Sequence, residues 1–168
     1  IEAQMGSGKT EAALSLASRI LAKGLASGVF VGLPTMATSN AMFERLEDVA
    51  PRMFDGEVNL VLAHGRRLLH KGFERFLDRS GKEPYADDAR VVCNRWLAGR
   101  KRALLGQLGV GTVDQAMQAA IRVRHYFVRA FGLARSVVVL DEIHAYDAYM
   151  EVILERLIEW LGALGAPV

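Results

Sequence analysis

Lys9 and Thr10 follow two closely spaced glycines in Gly6-Ser7-Gly8-Lys9-Thr10, ahead of an Ala- and Leu-rich run. Glycines at such spacing let the backbone curl, so that successive N–H groups point inward at phosphate oxygens. Lys9 can reach the β- and γ-phosphates of ATP, and Thr10 offers a hydroxyl to Mg²⁺. A helix starting just behind adds the positive end of its dipole. The general phosphate-loop pattern asks for Gly, four residues, then Gly-Lys-Ser/Thr, and Ala3 departs from it at the first position. The plainer alternative is a Gly-rich turn that caps a helix. The loop-to-helix setting of Gly-Lys-Thr favours the phosphate loop.

A second group with matching chemistry lies far along the chain. Val137-Val138-Val139-Leu140 is a β-branched, buried-strand sequence that ends in Asp141-Glu142. In open α/β folds ligands bind beyond the carboxyl ends of the strands, which is where these two carboxylates are delivered. Asp141 can hold Mg²⁺ directly or through water. Glu142 can orient the water that attacks the γ-phosphate. Alone, an apolar run plus Asp-Glu is a strand and a solvated turn. With a phosphate loop in the same chain it completes a nucleotide–Mg²⁺ site: Gly6, Ser7, Gly8, Lys9, Thr10 and Asp141 bind, while Lys9 and Glu142 act in catalysis. His144 either couples this site to a neighbouring lobe or is an ordinary loop histidine.

These residues need a scaffold, and the rest of the chain supplies one. At 168 residues and 51% hydrophobic, it has the length and composition of one folded domain. A net charge of +2 does not by itself announce a nucleic-acid partner. One cysteine, Cys93, excludes a disulfide framework or a multi-cysteine zinc site, and suits a reducing compartment such as the cytoplasm. The uncharged stretch 24–43 has the length of a membrane span, but its Gly, Ser, Thr, Asn and Pro content argues against one. Residue 1 is Ile, the phosphate loop begins by residue 3, and Ala166-Pro167-Val168 read as a turn into another strand. Residues 1–168 thus read as a single lobe cut at both ends.

Helix-like and strand-like segments alternate, which predicts an α/β fold with a mainly parallel sheet and helices on both faces. Helices are expected over 11–23 (capped by Gly24), over a stretch capped by Ser39 and broken by Pro51 and Gly56, over 66–79, from Asp114 through Ala120, and over 147–164. The second carries Met42, Phe43, Leu46 and Val49 on its buried stripe. The third carries Leu68, Leu69, Phe73, Phe76 and Leu77. The last turns Met150, Ile153, Leu154, Leu157, Ile158 and Leu161 inward. Strands are expected at 29–33, 58–63, 103–108 and 136–140, with a polar loop at 80–89. His64, His70 and His125 read as loop or surface residues, and Cys93 as a small buried one. Trp96, beside Arg95 and Arg100 to Arg102, could stack a base but reads better as core. Arg122, Arg124 and Arg129 either support phosphates or keep a helix soluble.

Four further runs occur in order: Leu33-Pro34-Thr35-Met36-Ala37-Thr38-Ser39-Asn40, Leu62-Ala63-His64-Gly65, Gly109-Val110-Gly111-Thr112-Val113-Asp114-Gln115, and Asp141-Glu142-Ile143-His144-Ala145-Tyr146-Asp147. With Ala3 to Thr10, in which Ala-x-x-Gly-x-Gly-Lys-Thr accounts for the departure at Ala3, they resemble the Asp-Glu-x-His branch of superfamily 2 helicases. Nearly the whole chain resembles the first lobe of the type I CRISPR effector helicase–nuclease. That resemblance implies a RecA-like, three-layer α/β/α lobe of a prokaryotic, cytoplasmic enzyme. It implies ATP and Mg²⁺ as cofactors, single-stranded DNA as the track, and movement 3′ to 5′. It also implies a second RecA-like lobe, a nuclease domain, and recruitment by an RNA-guided surveillance complex, with no membrane. Thr35, Gly111 and Thr112, with Pro34, are implied to touch the DNA backbone, with His64-Gly65 nearby. A loop hydroxyl and adjacent N–H groups can do that without reading bases. Judged without the resemblance, Thr35 is equally a helix cap and Thr112 a turn residue.

The same resemblance says what the 168 residues lack: a Ser-Ala-Thr coupling motif, the second lobe with its arginine finger, and an adenine-recognising segment. No His-Asp dipeptide occurs. The lobe alone is therefore expected to bind ATP weakly and hydrolyse it poorly. Two rivals stay open: a different DNA or RNA helicase of the superfamily, and a nucleotide-switched binding module.

Overall fold

The computed structural model describes residues 8–67, 70–80, 91–99, 102–121, 123–143 and 146–168. Ala3, Gly6, Ser7, Leu68, Leu69, the polar stretch at 81–89, Arg100, Lys101, Arg122 and His144 lie outside the described residues.

Five parallel strands form one sheet, β1 (Gly28–Leu33), β2 (Val58–Ala63), β3 (Val91–Val92), β4 (Leu108–Thr112) and β5 (Ser136–Leu140), in the order β3-β2-β4-β1-β5. The helices are α1 (Lys9–Ala22), α2 (Met36–Met53), α3 (Lys71–Ser80), α4 (Val113–Met117), α5 (Tyr126–Ala134) and α6 (Ala148–Ala163). The predicted α/β fold is the observed one. The crossovers from β1 through α2 and from β2 through α3 move one way along the sheet, while that from β4 through α4 and α5 moves the other. Right-handed connections therefore put α2 and α3 on one face and α4 and α5 on the other. α6 packs on α4 and α5.

This topology sets where a ligand can sit. β1 lies between β4 and β5, yet the chain leaves β1 toward one face and leaves its two neighbours toward the other. A crevice must then open at the carboxyl end of β1, the position where doubly wound sheets bind ligands. Registers Leu33↔Thr112 and Gly32↔Leu140 bring the ends of β1, β4 and β5 level at its mouth.

The strands are near-continuous apolar runs because both faces are covered. β1, β2 and β4 are buried almost throughout. On the α2 face, Phe43 meets Phe73 and Phe76 edge to face, each at 5.4 Å between ring centres, which fixes α3 on α2. Gly111 has a separate reason to be glycine. A Cβ there would lie 2.0 Å from the Ala63 carbonyl oxygen of the neighbouring strand. Gly111→Ala is expected to cost about 1–3 kcal/mol or more, because backbone faces backbone and neither can yield. Urea denaturation at neutral pH measures it.

Several local expectations need correction. α2 is capped by Thr35, not Ser39: Thr35 Oγ1 accepts from the Thr38 amide at 3.1 Å, and Thr38 Oγ1 accepts from the Thr35 amide at 3.3 Å. Ser39 sits one turn inside, its hydroxyl donating to the Thr35 carbonyl at 2.7 Å. Pro51 does not break α2, which runs on to Met53. α3 begins at Lys71 instead of 66, because Arg67 closes a turn on His64 and His70 Nδ1 accepts from the Phe73 amide. Residues 103–108 are not one strand but a short 3₁₀ turn (Ala103–Leu105), after which β4 begins. Asp114 lies in the first turn of α4, whose N-cap is Thr112 and whose last residue is Met117. In α6, Leu154, Leu157 and Leu161 are buried as expected and Asp147 caps the helix, but Ile158 is exposed.

Candidate nucleotide and strand-binding edge

α1 is 14 residues long and β1 six, so on opposite courses each spans about 20 Å. α1 leads into β1 through a short turn, which returns the start of α1 to the level of the carboxyl edge. Gly8 is its N-cap, held in the left-handed region at φ 80, and no side chain caps the helix. An L-residue in that conformation pays about 1–2 kcal/mol. The opening turn of α1 therefore presents N–H groups without intrahelical acceptors, beside the half-buried Lys9 and Thr10. Glu11, a carboxylate in this same turn, is paired with Arg45 of α2. Its own backbone hydrogen bond and that guanidinium hold its carboxyl below the usual range. The pairing offsets a negative charge that would oppose a phosphate. Arg45 lies 34 residues from its partner on another helix, so nothing local in the sequence reveals it.

Asp141 and Glu142 emerge from β5, against which α1 packs. The Asp141 amide donates to the Gly32 carbonyl at 2.9 Å, which extends the β5–β1 ladder by one residue and fixes the aspartate at the sheet edge. Asp141 Oδ1 accepts from the Glu142 amide at 3.0 Å. Glu142 itself lies at φ 54, a left-handed conformation that is strained for a glutamate. The turn places two adjacent carboxylates at the end of β5. Oxygen donors from Thr10 and Asp141 suit Mg²⁺, which takes few protein ligands and completes its shell with phosphate oxygens and water. No cluster of three or more His, Cys, Asp or Glu able to hold a metal occurs among the described residues.

The residues expected at DNA divide by exposure. Thr35 is exposed, and its hydroxyl is already engaged in the capping box. Gly111 and Thr112 are buried, and the Thr112 side chain makes no capping bond to α4. Of the accompanying residues, His64 lies in the loop after β2, as its position in the sequence suggested, but is only 2% exposed. Its Nδ1 accepts from the Arg66 amide at 3.3 Å, so the proton sits on Nε2, which donates to Asn40 Oδ1 at 2.8 Å. The buried Arg67 donates to the carbonyls of His64 and Ala98. Together they tie the turn after β2 to α2.

Burial, then the charges of Arg67 and His70, lowers the His64 pKa below the ordinary 6.5. The folded state therefore binds this proton less readily than the unfolded state. The contribution to stability is full above 6.5 and is lost as pH falls through the depressed folded value. Urea midpoints measured on either side of that value should fall toward acid, and less steeply in His64→Gln, which cannot charge.

Other assignments change with burial. Trp96 is 56% exposed, not core, with the Arg102 guanidinium 4.5 Å from its ring centre. Arg129 is buried instead of solubilising its helix, and its Nη1 has no hydrogen-bond partner among the described residues. Cys93 is buried as expected, which pushes its thiol up to about 12 and leaves it unreactive. No helix among the described residues is long and apolar enough to cross a membrane.

No protein-family model matches the chain. It is 44% identical over 170 residues to the CRISPR-associated endonuclease/helicase Cas3 of Thermus thermophilus, and 41% identical over 169 to that of Escherichia coli. These alignments take in 99% and 100% of this chain but 18% and 19% of the relatives, so the chain spans just under a fifth of their length. A crystal structure of T. fusca Cas3 with ADP superposes with a TM-score of 0.83 at 40% identity, over 100% of this chain and 18% of that one. The T. fusca Cas3–ATP structure matches with a TM-score of 0.79 at 41% identity, over 99% of this chain and 17% of that one. A CRISPR RNA-guided surveillance complex before nicking contains a chain with a TM-score of 0.67 at 38% identity, over 100% of this chain and 14% of that one. In sequence and in fold, the chain resembles the first helicase domain of Cas3 proteins.

Proposed function

We propose that this chain is the ATP-binding first RecA-like lobe of an ATP-dependent single-stranded DNA helicase/translocase that acts in CRISPR interference. One observation carries the reading: Gly8-Lys9-Thr10 and Asp141-Glu142, far apart in sequence, sit at the same edge of a parallel sheet. The likeness to Cas3 over the full chain supports it.

In this reading the opening turn of α1 and Lys9 hold the β- and γ-phosphates in place. Thr10 and Asp141 hold Mg²⁺, which neutralises charge on the phosphates when bound. Glu142 accepts a hydrogen bond from the attacking water and turns its lone pair in line with the γ-phosphorus. His144 couples the site to a second RecA-like lobe. Thr35 meets the DNA strand at its exposed hydroxyl, while the buried Gly111 and Thr112 meet it through backbone groups at the start of α4. An arginine from the second lobe completes the site, a group worth about 10³–10⁵ in rate. This lobe by itself hydrolyses ATP poorly. An attached nuclease domain and delivery by an RNA-guided surveillance complex belong to the same reading.

Displacement of streptavidin from end-biotinylated strands by the full-length protein tests it. ATP-driven displacement is expected from single-stranded DNA. Displacement from RNA alone would favour another helicase of the superfamily. ATP binding with no displacement from either strand would favour a nucleotide-switched module.

A further inference from the structure

Among the described residues, the buried Tyr146 hydroxyl beside the acidic turn lacks a hydrogen-bond partner. The Tyr146 ring packs on the hydrophobic core. Its oxygen is sealed from solvent, and burial together with the charges of Asp114, Glu142 and Asp141 pushes the phenol up to about 12. The hydroxyl is thus a protonated donor near three carboxylates that satisfies none of them. A buried donor left unmade costs about 1–3 kcal/mol, a cost that phenylalanine would avoid in the same space.

The position of this donor suggests its use. Asp114 lies in the first turn of α4, two residues beyond Thr112 at the end of β4. Glu142 lies in the turn after β5, and β1 separates the two strands. Tyr146 thus feels charge from both the strand end assigned to DNA and the one assigned to hydrolysis. α6, which starts two residues after it, packs on α4.

We propose that Tyr146 is a positioning residue that couples DNA engagement to hydrolysis: when a strand settles on the start of α4, the Tyr146 hydroxyl donates to the Asp114 carboxylate and fixes the turn that carries Glu142. The proposal rests on the helicase reading above. The hydrogen bond is unmade without DNA, so the hydroxyl contributes nothing to basal turnover. It closes with DNA, satisfying a donor that already bears the cost of burial.

The test is steady-state ATP hydrolysis by the full-length protein with and without single-stranded DNA, in wild type, Tyr146→Phe, Asp114→Ala and the double variant. Tyr146→Phe is expected to keep basal turnover and the KM for ATP, and to lose about 5- to 20-fold of the DNA-stimulated rate. The double variant should be no worse than either single one. The thermal midpoint of Tyr146→Phe should equal or exceed that of wild type. Full DNA stimulation in Tyr146→Phe overturns the proposal. Equal loss of basal and stimulated rates overturns it too, because the hydroxyl would then serve the chemistry or the fold. A wild type that DNA does not stimulate overturns the helicase reading itself, and that failure is visible before any substitution is made.

Discussion

Lys9→Ala in the full-length protein should lower ATP turnover by about 10²–10³-fold, the scale of removing one preorganised donor from a charged transition state. The size follows from what else surrounds the phosphates. The opening amides of α1 offer hydrogen bonds and a partial positive charge, but Lys9 is the full charge in that turn, whose other ionised side chain is the Arg45-paired Glu11. Its removal weakens ATP binding as well as hydrolysis, so the KM for ATP rises while kcat falls. The fold should be indifferent to the change, since Lys9 is only half-buried at a helix start where alanine is well tolerated. Unchanged urea denaturation beside lost turnover is therefore the expected pair of results.

Glu142→Gln should separate binding from chemistry. The amide keeps the shape of the side chain but is a poor base and donates where the carboxylate accepts. Turnover should fall by about 10²–10⁴-fold, while ATP binding measured by calorimetry stays within a few-fold of wild type, because Gly8, Lys9, Thr10 and Asp141 are untouched. The backbone supplies a second check. Glu142 sits at φ 54, so Glu142→Gly should raise stability by about 1 kcal/mol as it abolishes turnover. That pair of results would mean that function holds Glu142 in its strained turn.

How far the sequence leads depends on which forces act locally. β5 and its Asp-Glu end are legible because an unbroken β-branched run has few uses other than a buried strand. Gly8-Lys9-Thr10 is legible because Gly8 must adopt φ 80 and the helix behind it is rich in Ala and Leu. The cap of α2 is ambiguous, since Thr35, Thr38, Ser39 and Asn40 are all capping residues within six positions, and Pro34 and the reciprocal Thr35–Thr38 bonds decide among them. Residues 103–108 mislead because a short apolar run fits a strand or a turn equally well, and packing against α5 selects the turn. Pro51 is tolerated near the end of α2, where one lost hydrogen bond matters least.

Burial of polar side chains is the part a sequence hides. His64 and Arg129 are drawn inside by partners or packing from distant segments, and Trp96 is left outside despite its size. The candidate nucleotide residues are legible as a set because their chemistry is complementary. The Arg45–Glu11 pair and the orphaned Tyr146 hydroxyl are not, because each arises only when separate elements meet.

If one edge of this sheet carries both the ATP machinery and part of a DNA track, one must answer to the other. The most direct measurement is ATP turnover by the full-length protein as single-stranded DNA is titrated in, with Lys9→Ala alongside. Turnover should rise severalfold to saturation in wild type and stay flat near zero in Lys9→Ala. Turnover that ignores single-stranded DNA, or that survives the loss of Lys9, would contradict this arrangement.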